Sequence, residues 1–236
     1  MMAVSITPPV PDLARARGET VPEMADWWID YFNTGSAPFN YRRATRSVHV
    51  GYKGIHRLHL LTAACAVEKT SIGRIANAEV VTLAAPLAFG RQTQVFNLPP
   101  RRFGFGRDRS AAYRIPFFFV EDGIIKLYFL QPRKGAGLDY DDFGMVAAIV
   151  KRYLLDIEFY GQRYDVEFVD VSASEAQSPR FIRRYGLSDL RLWSDKRLAD
   201  RLSLISESLD AAAASGRIEK RHRIIPRPEP EMPLFD

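Results

Sequence analysis

The sequence predicts a mixed α/β (α+β) fold: a central mixed β-sheet built on a phenylalanine-rich hairpin, flanking helices, a C-terminal helix and an extended tail. Three observations carry that expectation. In "FFFVEDGIIKLYFLQPRKG", residues 117–135, two apolar runs meet at Asp122-Gly123, a dipeptide suited to a two-residue hairpin turn. Directly afterwards, Phe143, Val146, Ala147, Val150 and Leu154 recur at helical spacing, and "RYDVEFVDVS" then reads as a further strand. No Gly-rich phosphate turn joins a strand to a helix, so the pattern is not that of a dinucleotide-binding chain.

Residues 1–20 are polar and Pro-rich and read as a mobile, loosely draped arm; residues 21–216 read as a single α/β domain with helical additions at both ends. "PEMADWWIDYF" has Pro22 near a helix start, with Trp27, Trp28, Tyr31 and Phe32 as its apolar content. "NTGSAPFNYRR" is loop, and "RSVHVGY" at 46–52 is a candidate strand. Residues 55–69 place Ile55, Leu58, Leu61 and Cys65 at helical spacing. Residues 71–89 continue with Ser71 as cap and Ile72, Ile75, Ala76, Val80 and Leu83 as the stripe, until Pro86 bends or ends the helix. "NLPPRRFGFGRDRS" at 97–110 reads as a breaker-rich basic loop. In the hairpin, Ile115, Phe117 and Phe119 share one face and Phe118 and Val120 the other, which marks a central strand with Pro116 at its start. Ser194 caps a last helix with Leu198, Leu202, Ile205 and Leu209 as its stripe and Gly216 as its stop; residues 217–236 form an extended, Pro-rich tail.

The 236 residues are 47% hydrophobic and 26% charged, ordinary for a globular chain able to bury its own core. Cys65 is the single cysteine, which excludes a disulfide framework and a multi-cysteine zinc site. The N-terminal residues lack the pattern of a secretory signal, and the apolar stretch at 80–89 is too short to span a bilayer, so a cytoplasmic protein with no membrane partner is expected. Lys and Arg outnumber Asp and Glu by 33 to 28, a balance compatible with nucleic acid.

Clustering refines that balance. Arg91, Arg101, Arg102, Arg107 and Arg109 surround Phe96, Phe103 and Phe105. Guanidinium forks engage phosphates and aromatic rings stack on bases, so Arg101, Arg102, Arg107 and Arg109, with Phe103 and Phe105, form the candidate nucleic-acid site; Arg133 and Lys134 extend it. A second group, Arg180, Arg183, Arg184, Arg191, Lys196, Arg197 and Arg201, is interrupted by Asp189, Asp195 and Asp200 and reads as a solvated face. His56 and His59 could share a helix face near His49, but no carboxylate or thiolate stands at ligand spacing, so they read as structural and no metal is assigned.

The order helix, strands, hairpin, helix, strand over residues 55–171 resembles the core of the PD-(D/E)xK nuclease superfamily. The resemblance implies an Asp near the hairpin's start and an acid-x-Lys on its second strand, which together hold Mg²⁺. Here Phe117, Phe118 and Phe119 stand at the first position, with Glu121 and Asp122 the nearest acids; Gln131-Pro132-Arg133 stands at the second, with Lys134 one place beyond. The expectation is therefore a nucleic-acid-associated binding protein with a nuclease-like, catalytically eroded core and no cofactor. The enzymatic alternative is a Mg²⁺-dependent nuclease using Asp122 or Glu121 with Gln131 and Lys134. A third reading is a protein-interaction module. "PEPEMPLFD" offers Met232, Leu234 and Phe235 as apolar anchors and resembles the short motif by which bacterial replication and repair proteins bind the sliding clamp, with Glu231 where Gln is preferred.

Overall fold

The computed structural model describes residues 7–34, 40–135, 137–175 and 177–219. Its strands in chain order are β1 (Gln94–Asn97), β2 (Arg102–Phe105), β3 (Arg109–Ala112), β4 (Phe117–Glu121), β5 (Ile124–Gln131), β6 (Tyr164–Asp170) and β7 (Arg183–Tyr185). Five of them form one sheet in the order β1-β4-β5-β6-β7, while β2 and β3 pair separately. The helices are α1 (Val10–Arg15), α2 (Val21–Asn33), α3 (Arg42–Tyr52), α4 (Leu58–Ala63), α5 (Ser71–Ala84), α6 (Tyr140–Val150), α7 (Asp156–Glu158) and α8 (Asp195–Ala214). The mixed α+β class read from the sequence is the one observed.

The Phe-rich hairpin is the centre of the sheet. β4 and β5 pair antiparallel with Phe117 opposite Tyr128, and the turn residues Asp122 and Gly123 have φ of 52° and 71°. Two left-handed residues make a turn whose twist matches that of the flanking strands, which is why Asp-Gly works there. β5 then pairs parallel with β6, Phe129 opposite Phe168. A parallel neighbour requires a crossover, and the buried helix α6, capped by Asp139 in a reciprocal capping box with Asp142, supplies it.

Side-chain alternation divides the interior into two cores. Leu127, Phe129, Val166 and Phe168 point to one side and pack with α1, α2, α6, α8 and the β2–β3 hairpin. Phe117, Phe119, Tyr128 and Val169 point to the other and pack with α3 and α5. Both faces being covered explains why the central strands are apolar throughout rather than alternating.

Several expectations change. Residues 46–52 belong to helix α3, not to a strand: Ala44, Ser47, Val48, Gly51 and Tyr52 are its buried residues, spaced i, i+3, i+4, i+7, i+8. Over its described residues the N-terminal arm is not loosely draped, because Val10, Leu13 and Ala16 are fully buried in the first core. On α5 the cap is Thr70, and the buried face is Gly73, Ala76, Asn77, Val80, Val81 and Ala84, so Ile72 and Ile75 face solvent. The segment at 97–110 is not a loop but mostly the β2–β3 hairpin. His56 precedes α4 rather than lying on it.

Candidate nucleic-acid interface

The hairpin's two ends are chemically separate. At the turn end, Glu121 accepts from Arg91 Nε at 2.7 Å and Arg91 Nη2 at 2.6 Å, and from Lys126 at 2.8 Å. The Arg91 hydrogen bonds dominate in holding its carboxyl down at about 2. Arg91 also reaches Glu167 on β6 at 3.0 and 2.9 Å, and the Tyr52 hydroxyl at the end of α3 donates to the same carboxylate. The guanidinium sits 5.0 Å from the centre of the Phe119 ring and 5.3 Å from that of Tyr52. Arg91 is thus a clamp joining α3, β4 and β6, not a free member of a basic loop.

Gln131 and Lys134 lie at the opposite end. Gln131 lies seven positions along the strand from Ile124, next to the turn, roughly 23 Å at about 3.3 Å per residue. Gln131 is buried, and Lys134 pairs with Glu79 of α5 at 3.4 Å. Asp122, Gln131 and Lys134 therefore cannot share one ion, and the catalytic set expected for the nuclease alternative is corrected on that geometry. Glu121 is no better placed, being at the turn end and saturated by cations.

The Gln131 end is filled by cross-links. Arg133 donates to Asp12 of α1 at 2.8 Å, and the Tyr31 hydroxyl donates to the same carboxylate at 2.8 Å. Arg180 ties Glu79, at 3.0 Å, to the carbonyls of Pro132 and Val171 at 2.5 and 2.8 Å. Buried Asp170 accepts from the Ser172 backbone N–H at 3.0 Å, and burial raises its pKa above the ordinary carboxylate value. Among the described residues no group of three His, Cys, Asp or Glu could hold a metal ion.

The expected aromatic-basic site also changes. Phe103 and Phe105 are 4% and 6% exposed and belong to the first core, so neither ring can stack on a base. Their strand residues alternate with Arg102 and Gly104, which face outward. Arg101 pairs with Glu158 at 2.6 Å, Arg102 folds onto Ser110, and Arg109 pairs with Asp210. Arg107 is exposed in the turn, while Arg133 is engaged with Asp12 as above. Met232, Leu234 and Phe235 lie outside the described residues.

A different surface concentrates the charge. Residues 41–78 contain seven Lys or Arg and one acid, Glu68, a net of +6; the rest of the chain holds 26 against 27, a net of −1. Arg42 and Arg46 of α3 and Lys53, which caps its C-terminal end, are exposed, and at 100° per residue they fall within about 40° of one another over roughly 16 Å. Arg57, just before α4, is exposed as well. Among the described residues no acid forms an ion pair with Arg42, Arg46, Lys53 or Arg57.

The helix presenting this stripe is fixed at both ends. The Ala44 N–H donates to Asn77 Oδ1 at 2.9 Å, and the Asn77 amide in turn donates to the Asn40 carbonyl at 2.9 Å. At the other end Tyr52 is held by the Arg91–Glu167 cluster, and the Thr93 hydroxyl donates to its carbonyl at 2.5 Å. His49 turns off the stripe against Phe117, ring centres 4.8 Å apart. Burial and, after it, Lys53 lower its pKa to about 4.

No protein-family model, curated protein or solved structure matches the chain. The geometry is therefore what bears on function. Sequence reading missed the α3 face because "SVHVGY" carries β-branched residues in alternation; the signal that finds it is the i, i+3, i+4 spacing of Ala44, Ser47, Val48, Gly51 and Tyr52, with cations opposite.

Proposed function

We propose that the protein binds nucleic acid through the exposed basic face of α3 and the connector after it, using Arg42, Arg46, Lys53 and Arg57. The observation that carries this reading is charge segregation: the 41–78 layer holds more than the whole positive excess of the chain, and these four cations have no ion-pair partner among the described residues. Elsewhere Arg91, Arg101, Arg109, Arg180 and Arg197 are neutralised by carboxylates, and exposed cations without an ion pair among the described residues, such as Arg107, Arg163 and Arg184, are not aligned along one helix. A row of unpaired cations gains by replacing condensed counterions along a phosphate backbone.

The face offers phosphate contacts first, from its four cations. Along the connector the exposed residues beside Arg57 are Ile55, His56, His59 and Leu60, of which only the two imidazoles are rings. Binding, not cleavage, is the role assigned, because the hairpin's polar residues are separated and engaged.

Fluorescence anisotropy with a labelled duplex of random sequence tests this. The variant Arg42→Gln/Arg46→Gln/Lys53→Gln/Arg57→Gln loses most of its affinity, whereas Arg101→Gln/Arg102→Gln/Arg107→Gln stays close to the parent. The reverse ranking would place the interface on the β2–β3 hairpin and reject the proposal.

A further inference from the structure

Exposed aliphatic side chains gather on the same layer as the positive charge. Of the seven exposed large aliphatics among the described residues, Ile55, Leu60, Val67, Ile72 and Ile75 lie within 55–75, and the last three are each more than 60% exposed. On α4 and the 3-10 turn at Ala64–Val67, exposed Leu60, Ala63, Ala64 and Val67 recur at i, i+3, i+4 and i+7, on the side away from buried Leu61 and Cys65. On α5, Ile72 and Ile75 stand away from buried Ala76, Val80 and Val81. Leu61, Cys65, Val80 and Val81 all pack into the second core, so both elements turn these aliphatics away from the sheet. Ala66 and Ile75 border one shallow depression, so the two outward sides adjoin. Single exposed aliphatics are ordinary, but this concentration marks an interaction surface.

Charge selects the occupant. Lys53, Arg57 and Arg74 stand exposed around the aliphatics, and no acid among the described residues forms an ion pair with them. Arg74 is held at the tip of the layer by the carbonyls of Glu68 and Lys69, at 3.1 and 3.4 Å. Glu68 is the one acid within 41–78, and it is half-buried. A second copy would set the same positive layer against itself, and a nucleic-acid backbone would leave the aliphatics in water. An anionic bilayer complements both features, because apolar side chains enter the boundary between headgroups and acyl chains while cations meet the lipid phosphates. No described helix is long and apolar enough to cross a membrane, so the contact is with the surface of one leaflet.

We infer that the outward sides of α4 and α5 dock on an anionic lipid bilayer. Leu60, Val67, Ile72 and Ile75 enter the headgroup boundary, and Lys53, Arg57 and Arg74 face lipid phosphates. The aliphatics carry this inference, so it does not rest on nucleic-acid binding; lipid and duplex would compete for Lys53 and Arg57.

The test is co-sedimentation of the full 236-residue chain with vesicles of phosphatidylcholine alone, or mixed with an equal part of phosphatidylglycerol. The mixed vesicles should bind at least about tenfold more tightly, since each cation near an anionic surface is worth about fivefold. Ile72→Ser/Ile75→Ser, at two exposed positions and with an unfolding midpoint like the parent's, should weaken that binding by roughly tenfold or more. An indole introduced by Val67→Trp should be quenched by lipids brominated on their acyl chains. Trp27, Trp28 and Trp193 pack on the first core, across the sheet, and should not be quenched. No binding, equal binding to both vesicles, binding kept by the double serine variant, or an unquenched indole would each overturn the inference. So would a dimer of the parent chain that the same variant dissociates, which would make the surface a contact between copies. Duplex affinity, measured in parallel, should be unchanged by the serine pair; its absence in every chain would reject the α3 reading and leave the lipid result standing.

Discussion

Replacing Arg91 by Met removes the cation on which one end of α3 depends. Arg91 meets two carboxylates, Glu121 and Glu167, whose side chains are 16% and 6% exposed. Met fills similar space but leaves Glu167 buried beside Tyr52 and Tyr128 with no cation, while Glu121 retains Lys126. Removing one partner of a buried ion pair costs about 3–5 kcal/mol, and the residual exposure of Arg91 and Glu121 argues for the lower end, about 3 kcal/mol. With a urea slope of about 3 kcal/mol per molar for a chain of this size, the unfolding midpoint falls by about 1 M. Equilibrium urea unfolding followed by tryptophan fluorescence reads it directly. The double variant Arg91→Met/Glu167→Gln recovers part of the loss, because the stranded charge is gone. A midpoint that does not move in the single variant, or a double variant less stable than the single, would refute the clamp.

Acid should weaken the fold through two groups. Glu121 is held at about 2 against an ordinary 4.5, so its contribution is present above about pH 4.5 and is lost as pH falls toward 2; Glu121→Gln removes that dependence. His49 is lowered from 6.5 to about 4, so the unfolded chain binds the extra proton and stability declines as pH drops from 6.5 toward 4. Thermal melts across this range in the parent and in His49→Phe separate the second effect, which the variant lacks. Phe103→Ala should destabilise by about 3–5 kcal/mol, as for a core phenylalanine, whereas Arg107→Gln should stay within about 0.5 kcal/mol. Thermal denaturation of the two decides whether this segment is core or binding loop.

The hairpin, the crossover helix and α8 were legible because each has strong local chemistry: Asp122-Gly123 at the turn, Asp139 and Ser194 at the caps, and unbroken apolar stripes. The α3 helix was not. Its buried positions are Ala44, Ser47 and Gly51 as well as Val48 and Tyr52, so its apolar face is weak in sequence and strong only when packed on the sheet. On α5 small residues and Asn77 face inward while isoleucines face outward, which inverts a stripe drawn by hydrophobicity alone. Phe103 and Phe105 misled in the other direction, because an Arg-Phe-Gly-Phe run looks like a stacking platform until strand pairing shows which face is inside. Pairing of charges is invisible in sequence; Arg91 and Arg109 were close to other cations along the chain but meet their carboxylates 30 and 101 residues away.

Phosphate contact by the four cations Arg42, Arg46, Lys53 and Arg57 is counted by the salt dependence of duplex affinity. Each phosphate contact adds about 0.9 to the slope of log K against log salt, so four contribute about 3.6, or roughly a 150-fold loss of affinity between 50 and 200 mM. The expected result is that Arg42→Gln/Arg46→Gln/Lys53→Gln/Arg57→Gln binds more weakly and flattens the slope by about 3 to 4 relative to the parent chain. An unchanged slope in that variant, with binding retained, would contradict it.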